Sequence, residues 1–378
     1  MASVRKLSLS RQQTISLLRF GSRWRCGRVI SPLILKNNLS SLVKTGRGGR
    51  SSFSGNHVTI FGSTGFLGRY VVNRLGRMGT SMMLPYRGDE LDTRHLKLMG
   101  DLGQIEFRRF SLRDEQSVKE MVRYSSIVVN LIGREFNTWH FKMDEAMGEG
   151  ARTIARACRE AGVKQFIHVS ALNASGDSPS AFLRAKAAGE AAVLEEFPDA
   201  TIMQPSWIYG REDRFFNYYA NLKILPFPFA GVPFLDRGLK TVKRPVFVVD
   251  VATAIFNAIH NDETVGQVYE LAGPKEYILF DLVEYLYQVL RRPFKPYSLP
   301  RPLYNLVAFA FENSPFDPYL TRDILIRQHL SDQLKAGVPG LEDLNVKPTA
   351  VEEAALGILR RHRDALHYNE TIDELHAP

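Results

Sequence analysis

The fold is decided by one stretch of the chain, Gly62-Ser63-Thr64-Gly65-Phe66-Leu67-Gly68. The apolar run Val58-Thr59-Ile60-Phe61 precedes it and a helix-like run follows it, which predicts a strand, a glycine turn and a helix in that order. In such a unit Gly62 makes the tight turn, Gly65 lets a pyrophosphate approach the backbone, and Gly68 lets helix and strand pack closely. The helix N-terminus then offers N–H groups to phosphate. The spacing G-x-x-G-x-x-G is a variant of the dinucleotide fingerprint, and an ordinary glycine-rich turn is the alternative.

Strand-like and helical patterns alternate after this unit. Apolar runs typical of strands lie at 81–86, 105–110, 127–133, 163–170 and 201–204, and helical patterns lie between them. The nearly continuous apolar run at 127–133 is typical of a parallel sheet that is covered on both faces. The alternation predicts an α/β fold, a Rossmann-type doubly wound parallel sheet with right-handed crossovers.

Residues 1–50 are expected to form a mitochondrial transit peptide. They contain eleven Arg and Lys residues and no acidic residue, and the first acid of the chain is Asp89. This composition is typical of mitochondrial leaders, although a disordered basic arm that binds nucleic acid is the alternative. The full chain has 49 basic and 40 acidic residues, and without residues 1–50 it has 38 and 40. The high pI therefore does not indicate nucleic-acid binding by the remainder, and we expect no nucleic-acid partner.

The end of the second predicted strand favours NADP(H) over NAD(H). In NAD-binding proteins an acidic residue at this place holds the ribose 2′-hydroxyl. This strand ends at Arg87, and the acids Asp89 and Glu90 come two and three residues later. A guanidinium stacks on adenine and makes charge-assisted hydrogen bonds to a 2′-phosphate. Arg87 is therefore the first candidate for that phosphate and Arg69 the second, the alternative being that both are solvated surface residues.

Further candidate cofactor contacts lie where the other predicted strands end. Ser111-Leu112 is placed to flank an adenine ring, Leu131-Ile132-Gly133 ends the fourth strand, and Val169-Ser170 ends the fifth. His168 lies within the fifth strand, where a packed histidine is favoured over a catalytic one. No Cys or His pair has a spacing typical of metal ligands, so no metal site is expected.

Three regions follow from these patterns. After the transit peptide at 1–50, we expect an NADP-binding Rossmann domain at 51–210. A smaller C-terminal α/β lobe with an extended C-terminal segment occupies 211–378, and its elements at 245–273 return to the main domain. Within that return we expect a strand or extended segment at 245–249 and a helix at 251–259 that is capped by Asp250. No apolar run reaches the ~18 residues that span a bilayer.

The order of these motifs is that of a known superfamily. The glycine loop, Leu131-Ile132-Gly133, Val169-Ser170, Lys186 and Pro205-Ser206-Trp207-Ile208-Tyr209-Gly210 resemble the atypical short-chain dehydrogenases/reductases. The resemblance implies that Pro205, Ser206 and Ile208 also contact the cofactor. It also implies that Lys186 binds the nicotinamide ribose.

The same resemblance draws attention to a missing hydroxyl. Enzymes of this superfamily use a Tyr-x-x-x-Lys pair on one helix face, in which the tyrosine transfers the proton that accompanies hydride transfer. Here Phe182 stands four residues before Lys186. Loss of a general acid typically costs ~10²–10⁴ in rate. We therefore expect no catalytic residue, and a cleft that holds NADPH without turning it over.

Longer strings resemble one family more closely, the nucleotide-binding accessory subunits of mitochondrial NADH:ubiquinone oxidoreductase, or respiratory complex I. They are the strings at 130–134, 210–215, 339–344 and 359–363. The resemblance implies a matrix-side position at the mitochondrial inner membrane. It also implies other complex I subunits near the quinone-binding arm as partners, with peripheral lipid contact and no transmembrane helix.

Two other functions are weighed against this one. An active NADPH-dependent matrix reductase or isomerase would need a substitute for the missing acid, and Tyr209 is the best candidate. A nucleic-acid-binding protein on a reductase scaffold conflicts with the near-neutral charge of residues 51–378.

Overall fold

The computed structural model describes residues 46, 48–138, 140–222, 231–235, 238–312, 318, 320–364 and 367–368. The transit peptide predicted at 1–50 lies almost entirely outside these described residues.

Strands and helices alternate along most of the described chain. The strands are β1 His57–Phe61, β2 Ser81–Tyr86, β3 Ile105–Arg109, β4 Ile127–Asn130, β5 Gln165–Val169, β6 Thr201–Pro205, β7 Ile208–Tyr209, β8 Val232–Phe234, β9 Val242–Lys243, β10 Val246–Phe247, β11 Val268–Leu271, β12 Tyr277–Ile278 and β13 Pro296–Ser298. The α-helices are α1 Phe66–Arg77, α2 Arg94–Lys97, α3 Glu115–Val122, α4 Gly150–Ala161, α5 Ala181–Glu196, α6 Phe215–Asn221, α7 Val248–His260, α8 Leu279–Val289, α9 Arg301–Glu312, α10 Arg322–Gln328 and α11 Val351–Leu359.

Seven parallel strands form the central sheet in the order β11-β6-β5-β4-β1-β2-β3. This confirms the predicted doubly wound parallel sheet. Strand order reverses beside β1, because β2 lies on one side of it and β4 on the other. Ligands of doubly wound sheets bind beyond the carboxyl ends of the strands at such a switch point.

Helices cover both faces of this sheet because alternate strand residues point to opposite faces. Val58 and Ile60 of β1 belong to one core, which also includes apolar residues of α1 and α7. Phe61 and Val128 belong to the other, with apolar residues of α3 and α4. Local caps mark the ends of two of these helices: the Asp114 carboxylate accepts from the Gln116 N–H at 3.1 Å at the start of α3, and Gly162 ends α4 with φ +64°.

A further core, separate from the two that cover the sheet, lies in the C-terminal lobe. Helices α6, α8 and α11 pack there with Val232 and Phe234 of β8. Three two-stranded pairs, β7–β10, β9–β12 and β8–β13, stand apart from the central sheet. The 245–273 elements contribute α7 and β11 to the main sheet and its covering layer.

The strand predicted at 245–249 is wrong in extent. β10 ends at Phe247, and α7 begins at Val248 with Phe247 in the extended N-cap position. Asp250 is therefore not the N-cap. It lies in the first turn, where a carboxylate stabilises the helix dipole, and it accepts hydrogen bonds from the Thr349 N–H and hydroxyl at 2.7 and 3.1 Å.

No helix in the described part of the chain is long and apolar enough to cross a membrane. Helix α9 lies on the surface with Leu303, Leu306 and Phe309 exposed. The basic cluster at 360–363 is partly satisfied within the fold, because Arg361 donates to the Asn217 side chain and Arg363 to the Val289 carbonyl.

Candidate functional site

A cleft of about 630 Å³ opens at the carboxyl edge of the central sheet, beside the switch point. Most of the predicted cofactor-binding residues line it. They are Gly62, Thr64, Gly65, Phe66, Leu67, Gly68, Arg87, Leu112, Leu131, Ile132, Gly133, Val169, Ser170, Lys186, Pro205, Ser206 and Ile208. The sheet thus brings together residues that are spread over nearly 150 positions of the sequence.

The glycine loop has the backbone geometry that the three glycines allow. Gly62 has φ +79°, and a Cβ there would lie 3.0 Å from the Leu131 carbonyl carbon. A Cβ at Gly68 would lie 2.4 Å from the Ser63 carbonyl oxygen, so the first turn of helix α1 packs too closely against the glycine loop for a side chain. A Cβ at Gly65 would meet only the Gly62 oxygen, at 3.2 Å, so it would extend along the cleft wall.

Two further features of this loop suit a phosphate. Gly65 is the N-cap of α1 and provides no side-chain cap for the N–H groups of the first turn. The Ser63 hydroxyl is buried and has no hydrogen-bond partner. Uncapped N–H groups at a helix N-terminus bind anions, so the residues present fit a dinucleotide pyrophosphate.

Three predicted contacts do not line the cleft. Ser63 lies beneath the loop, fully buried. The Arg69 guanidinium points to Glu212, 3.7 Å away, and Ser111 is exposed at the surface. Because Arg69 is already engaged by a carboxylate, the geometry does not support it as the second candidate for the 2′-phosphate. The exposed position of Ser111 likewise does not support its predicted place beside adenine.

Arginines gather at the β2 end of the cleft. The guanidinium carbons of Arg87 and Arg113 lie 5.0 and 4.5 Å from the centre of the Phe141 ring. Partial burial and the positive charge of Arg134 lower the pKa of Arg87 from its ordinary value. Repulsion between neighbouring guanidinium groups of this kind is relieved when an anion binds among them.

The other end of the cleft is built on helix α5. The Lys186 ammonium is buried and donates to the carbonyls of Val169 and Ile132 at 2.9 and 3.0 Å. Burial lowers its pKa to about 8, with Arg327 adding to this effect and Glu190 opposing it. Phe182 lies on the same helix, with its ring centre 6.0 Å from the Lys186 ammonium. The position that a general acid would take is an apolar ring.

Arg327 of helix α10 fills the space beside that ring. Its guanidinium carbon lies 4.2 Å from the centre of the Phe182 ring and 4.3 Å from that of Trp207, so the cation is held between two aromatic faces. It also forms an ion pair with Glu135, which Arg214 approaches to 3.5 Å. Burial opposes ionisation of Glu135, but the two arginines outweigh it and hold the pKa of this carboxyl below its ordinary value.

The segment that carries Arg327, residues 320–332, is attached to the cleft at both ends. Near its start, the Asp323 carboxylate accepts from the Ala181 N–H at 2.6 Å and from the Ser180 hydroxyl, capping α5. At its end, Asp332 lies 3.3 Å from the Lys243 ammonium, and both side chains are buried. Burial lowers the pKa of Lys243 to about 8. The 320–332 segment thus closes the cleft over Phe182.

Two candidate proton carriers are occupied elsewhere. His168 is buried, with Nδ1 3.1 Å from the Asn130 amide nitrogen, and burial lowers its pKa to about 3, so it is neutral. The Tyr209 hydroxyl donates to the Thr349 carbonyl at 3.2 Å, and burial raises its pKa. Neither residue lines the cleft.

Some residues of this site carried no usable sequence signal. Arg327, Lys243 and their partners Glu135 and Asp332 lie in segments that sequence patterns left without a role. Glu135 and Arg327 are 192 positions apart, and no local spacing predicts such a pair. Asn130 had a weak signal as the polar end of an apolar strand, and its side-chain oxygen accepts from the Ile132 N–H at 3.1 Å, fixing the loop that follows β4.

Comparison with known proteins agrees with this geometry. Residues 62–219 match the family described as NAD(P)H-binding. The chain is 48% identical over 334 residues to the protein of Rattus norvegicus named NADH dehydrogenase [ubiquinone] 1 alpha subcomplex subunit 9, mitochondrial, and the match covers 88% of each chain. It is 33% identical to the 40 kDa subunit of NADH-ubiquinone oxidoreductase from Neurospora crassa, over 90% of this chain and 88% of that one.

Solved structures share the fold at low sequence identity. An NADPH-dependent quinone oxidoreductase from Escherichia coli, solved in complex with NADPH, superposes with a TM-score of 0.61 and 18% identity. The superposition covers 80% of this chain and 99% of the bacterial one. It confirms the Rossmann-like architecture.

Proposed function

The chain belongs to the family of the mitochondrial NADH dehydrogenase alpha subcomplex subunit 9, and we propose that it is a non-catalytic accessory subunit of respiratory complex I that holds NADPH. The observation that carries the proposal is the pairing of a complete phosphate cradle with a disabled proton-transfer site. Gly65 and the uncapped start of α1 suit a pyrophosphate, whereas Phe182 has no proton to give.

Binding is assigned to the residues of the cleft. The glycine loop would hold the pyrophosphate, and Leu131, Ile132 and Gly133 would lie against the dinucleotide. Lys186 would hold the nicotinamide ribose. A bound NADPH supplies hydride chemistry, which this protein does not use.

The preference for NADPH over NADH rests on the arginines around Phe141. Arg113 does not line the cleft and is already paired with Glu145, 3.1 Å away. Arg87 lies 5.0 Å from the ring centre and Arg134 is close enough to lower the pKa of Arg87, and both of these arginines line the cleft. A 2′-phosphate placed among them would gain charge-assisted hydrogen bonds, which NADH lacks.

The absence of catalysis rests on two features of the α5 end. Phe182 stands where the superfamily has its tyrosine, and Arg327 packs on its ring face at 4.2 Å. Because the 320–332 segment is fixed to α5 through Asp323 and to β9 through Lys243, the guanidinium is not a loosely placed side chain. A carbonyl substrate would meet a phenylalanine ring in place of the tyrosine hydroxyl, with the Arg327 guanidinium against its face.

The bound nucleotide is proposed to stabilise the fold and to support assembly. A ligand at 100 times its dissociation constant adds about 2.7 kcal/mol to the stability of the folded state. The cleft joins β1, β2, β4, β5 and β6 to α5 and the 320–332 segment, so its occupant would tie the sheet to the C-terminal part of the chain.

We place the protein on the matrix side of the mitochondrial inner membrane, with complex I subunits near the quinone-binding arm as its partners. The acid-free segment 1–50 and the alpha-subcomplex relatives support that place. Peripheral lipid contact is part of the proposal, and the exposed Leu303, Leu306 and Phe309 of α9 are its candidates.

The experiment is to purify the protein from mitochondria, denature it, and identify and count the nucleotide released. One NADP(H) per chain is expected, because the cradle is complete. A preparation that is fully folded and nucleotide-free contradicts the proposal.

The competing function is an active NADPH-dependent reductase or isomerase. It needs a substitute acid, and its best candidate, Tyr209, is fully buried and donates to the Thr349 carbonyl. Turnover of a carbonyl panel that Tyr209→Phe abolishes would establish it in place of the proposal above.

A further inference from the structure

The α5 end of the cleft concentrates buried positive charge. Lys186, Lys243 and Arg327 are 4%, 1% and 7% exposed, and all three line the cleft. The two ammonium groups lie 6.0 Å from the Phe182 ring centre and 5.6 Å from that of Trp207, respectively. The Arg327 guanidinium lies between these two rings, so three cations surround one small aromatic volume.

The carboxylates nearby compensate this charge only in part. Glu135 is shared by Arg327 and Arg214, and Asp332 is paired with Lys243. Lys186 donates to two backbone carbonyls, which carry no net charge, and the nearby Glu190 is partly buried, which raises the pKa of its carboxyl and weakens its compensation of Lys186. Around the whole cleft, seven cationic side chains face four carboxylates.

The binding of a nicotinamide ring is sensitive to such a charge, because the charge of the ring itself changes with its redox state. The ring is a cation in NADP⁺ and neutral in NADPH, while the remainder of the molecule is unchanged. A partly uncompensated positive charge in a water-poor site repels the oxidised ring and leaves the reduced ring unaffected.

We propose that the cationic cluster of Lys186, Lys243 and Arg327 makes this cleft selective for the reduced nucleotide, with Arg327 as the residue that sets the selectivity. The inference rests on the proposed function, which places the nicotinamide at the α5 end. It assigns Arg327 a role beyond filling the substrate space: the guanidinium disfavours oxidation of the nucleotide that it covers.

The test compares the affinities of the full chain for NADPH and for NADP⁺ by titration, with tryptophan fluorescence or heat as the signal. The wild-type protein is expected to bind NADPH at least about tenfold more tightly, which corresponds to about 1.4 kcal/mol. Arg327→Met removes the charge and should bring the ratio close to one. Arg327→Lys keeps the charge and should keep most of the preference.

A second variant is expected to change the preference for NADPH in the opposite direction, which distinguishes an effect of charge from an effect of packing. Glu135→Gln removes the counter-ion of Arg327 and should raise the preference for NADPH above that of the wild-type protein. It also keeps the proposal testable if Arg327→Met does not fold. Equal wild-type affinities, or the same direction of change in Glu135→Gln and Arg327→Met, overturn this inference alone. Binding of neither nucleotide overturns the proposed function and this inference with it.

Discussion

Gly65→Ala is expected to remove nucleotide binding while it leaves the apo fold nearly intact. The backbone at Gly65 has φ −73° and ψ 177°, which alanine adopts without strain. The new Cβ would meet only the Gly62 oxygen, at 3.2 Å, and would otherwise stand on the cleft wall where a pyrophosphate must approach. The loss of apo stability should stay below about 1 kcal/mol, the usual difference between residues at an N-cap.

The size of the effect follows from linkage. With NADPH at 100 times its dissociation constant, the wild-type protein gains about 2.7 kcal/mol. An unfolding entropy of about 2.1 cal/mol/K per residue gives about 0.7 kcal/mol/K for the roughly 330 residues of 51–378, so 1 kcal/mol raises Tm by about 1.5 °C. The expected rise in Tm is therefore about 4 °C. If Gly65→Ala weakens binding about 100-fold, the same NADPH concentration adds only about 0.4 kcal/mol, a rise of less than about 1 °C.

The assay is thermal unfolding with and without NADPH, and two glycines of the same chain serve as controls. A Cβ at Gly68 would lie 2.4 Å from the Ser63 carbonyl oxygen. Gly68→Ala should therefore lower the stability of the apo protein by about 1–3 kcal/mol, and its apo Tm with it. Gly357 lies exposed in α11 with no atom within 4 Å of a new Cβ, so Gly357→Ala should stabilise slightly and keep the full NADPH effect. A full NADPH response in Gly65→Ala would refute the reasoning about the loop.

Three further changes test other parts of the cleft. Phe182→Tyr restores the missing hydroxyl, yet the carbonyl panel should show no turnover because Arg327 covers that ring at 4.2 Å, and measurable reduction would contradict the role of Arg327. Burial lowers the pKa of His168 to about 3, so below pH ~6.5 the protonated histidine of the unfolded chain must lose its proton on folding. The contribution of His168 to the free energy of unfolding should therefore fall by about 2 kcal/mol between pH 7 and pH 5. In denaturant titrations this loss of stability should be smaller in His168→Gln and unchanged in His260→Gln, the control at an exposed histidine. Asp323→Ala removes the carboxylate that caps α5 and should cost about 1–2 kcal/mol in the same titrations, whereas an unchanged midpoint would rule out that cap.

Much of the main domain was predictable because its signals are local. The glycine loop, the apolar runs and the caps at Asp114 and Gly162 each depend on neighbours within a few residues. Helix α5 spans Ala181–Glu196, and its cap is also local, because the Ser180 side chain accepts from the Leu183 N–H. Once the strands were placed, a right-handed parallel order left few other arrangements.

The closing of the cleft was not predictable, because it depends on distant pairs. Asp323 caps a helix that begins 142 positions earlier, and Arg327 pairs with a residue 192 positions earlier. From the sequence alone, Lys243 and Arg327 would be expected at the surface, since such side chains are rarely buried without a partner. Their partners Asp332 and Glu135 become evident only in the folded chain.

The start of α7 was missed for a different reason. Val246, Val248 and Val249 form part of a β-branched and aromatic run that indicates a strand by propensity, but β10 uses only two residues of it. Burial of Val248, Val251 and Ile255 as one helix face outweighs that local preference.

The central claim is that the nucleotide stays bound and is not consumed. The direct measurement is the amount of NADPH per chain in purified complex I, quantified before, during and after many turnovers of NADH oxidation by ubiquinone. We expect one NADPH per chain throughout, unchanged in redox state. NADPH that is oxidised in step with turnover, or a complex that is fully assembled and active without it, would contradict the claim.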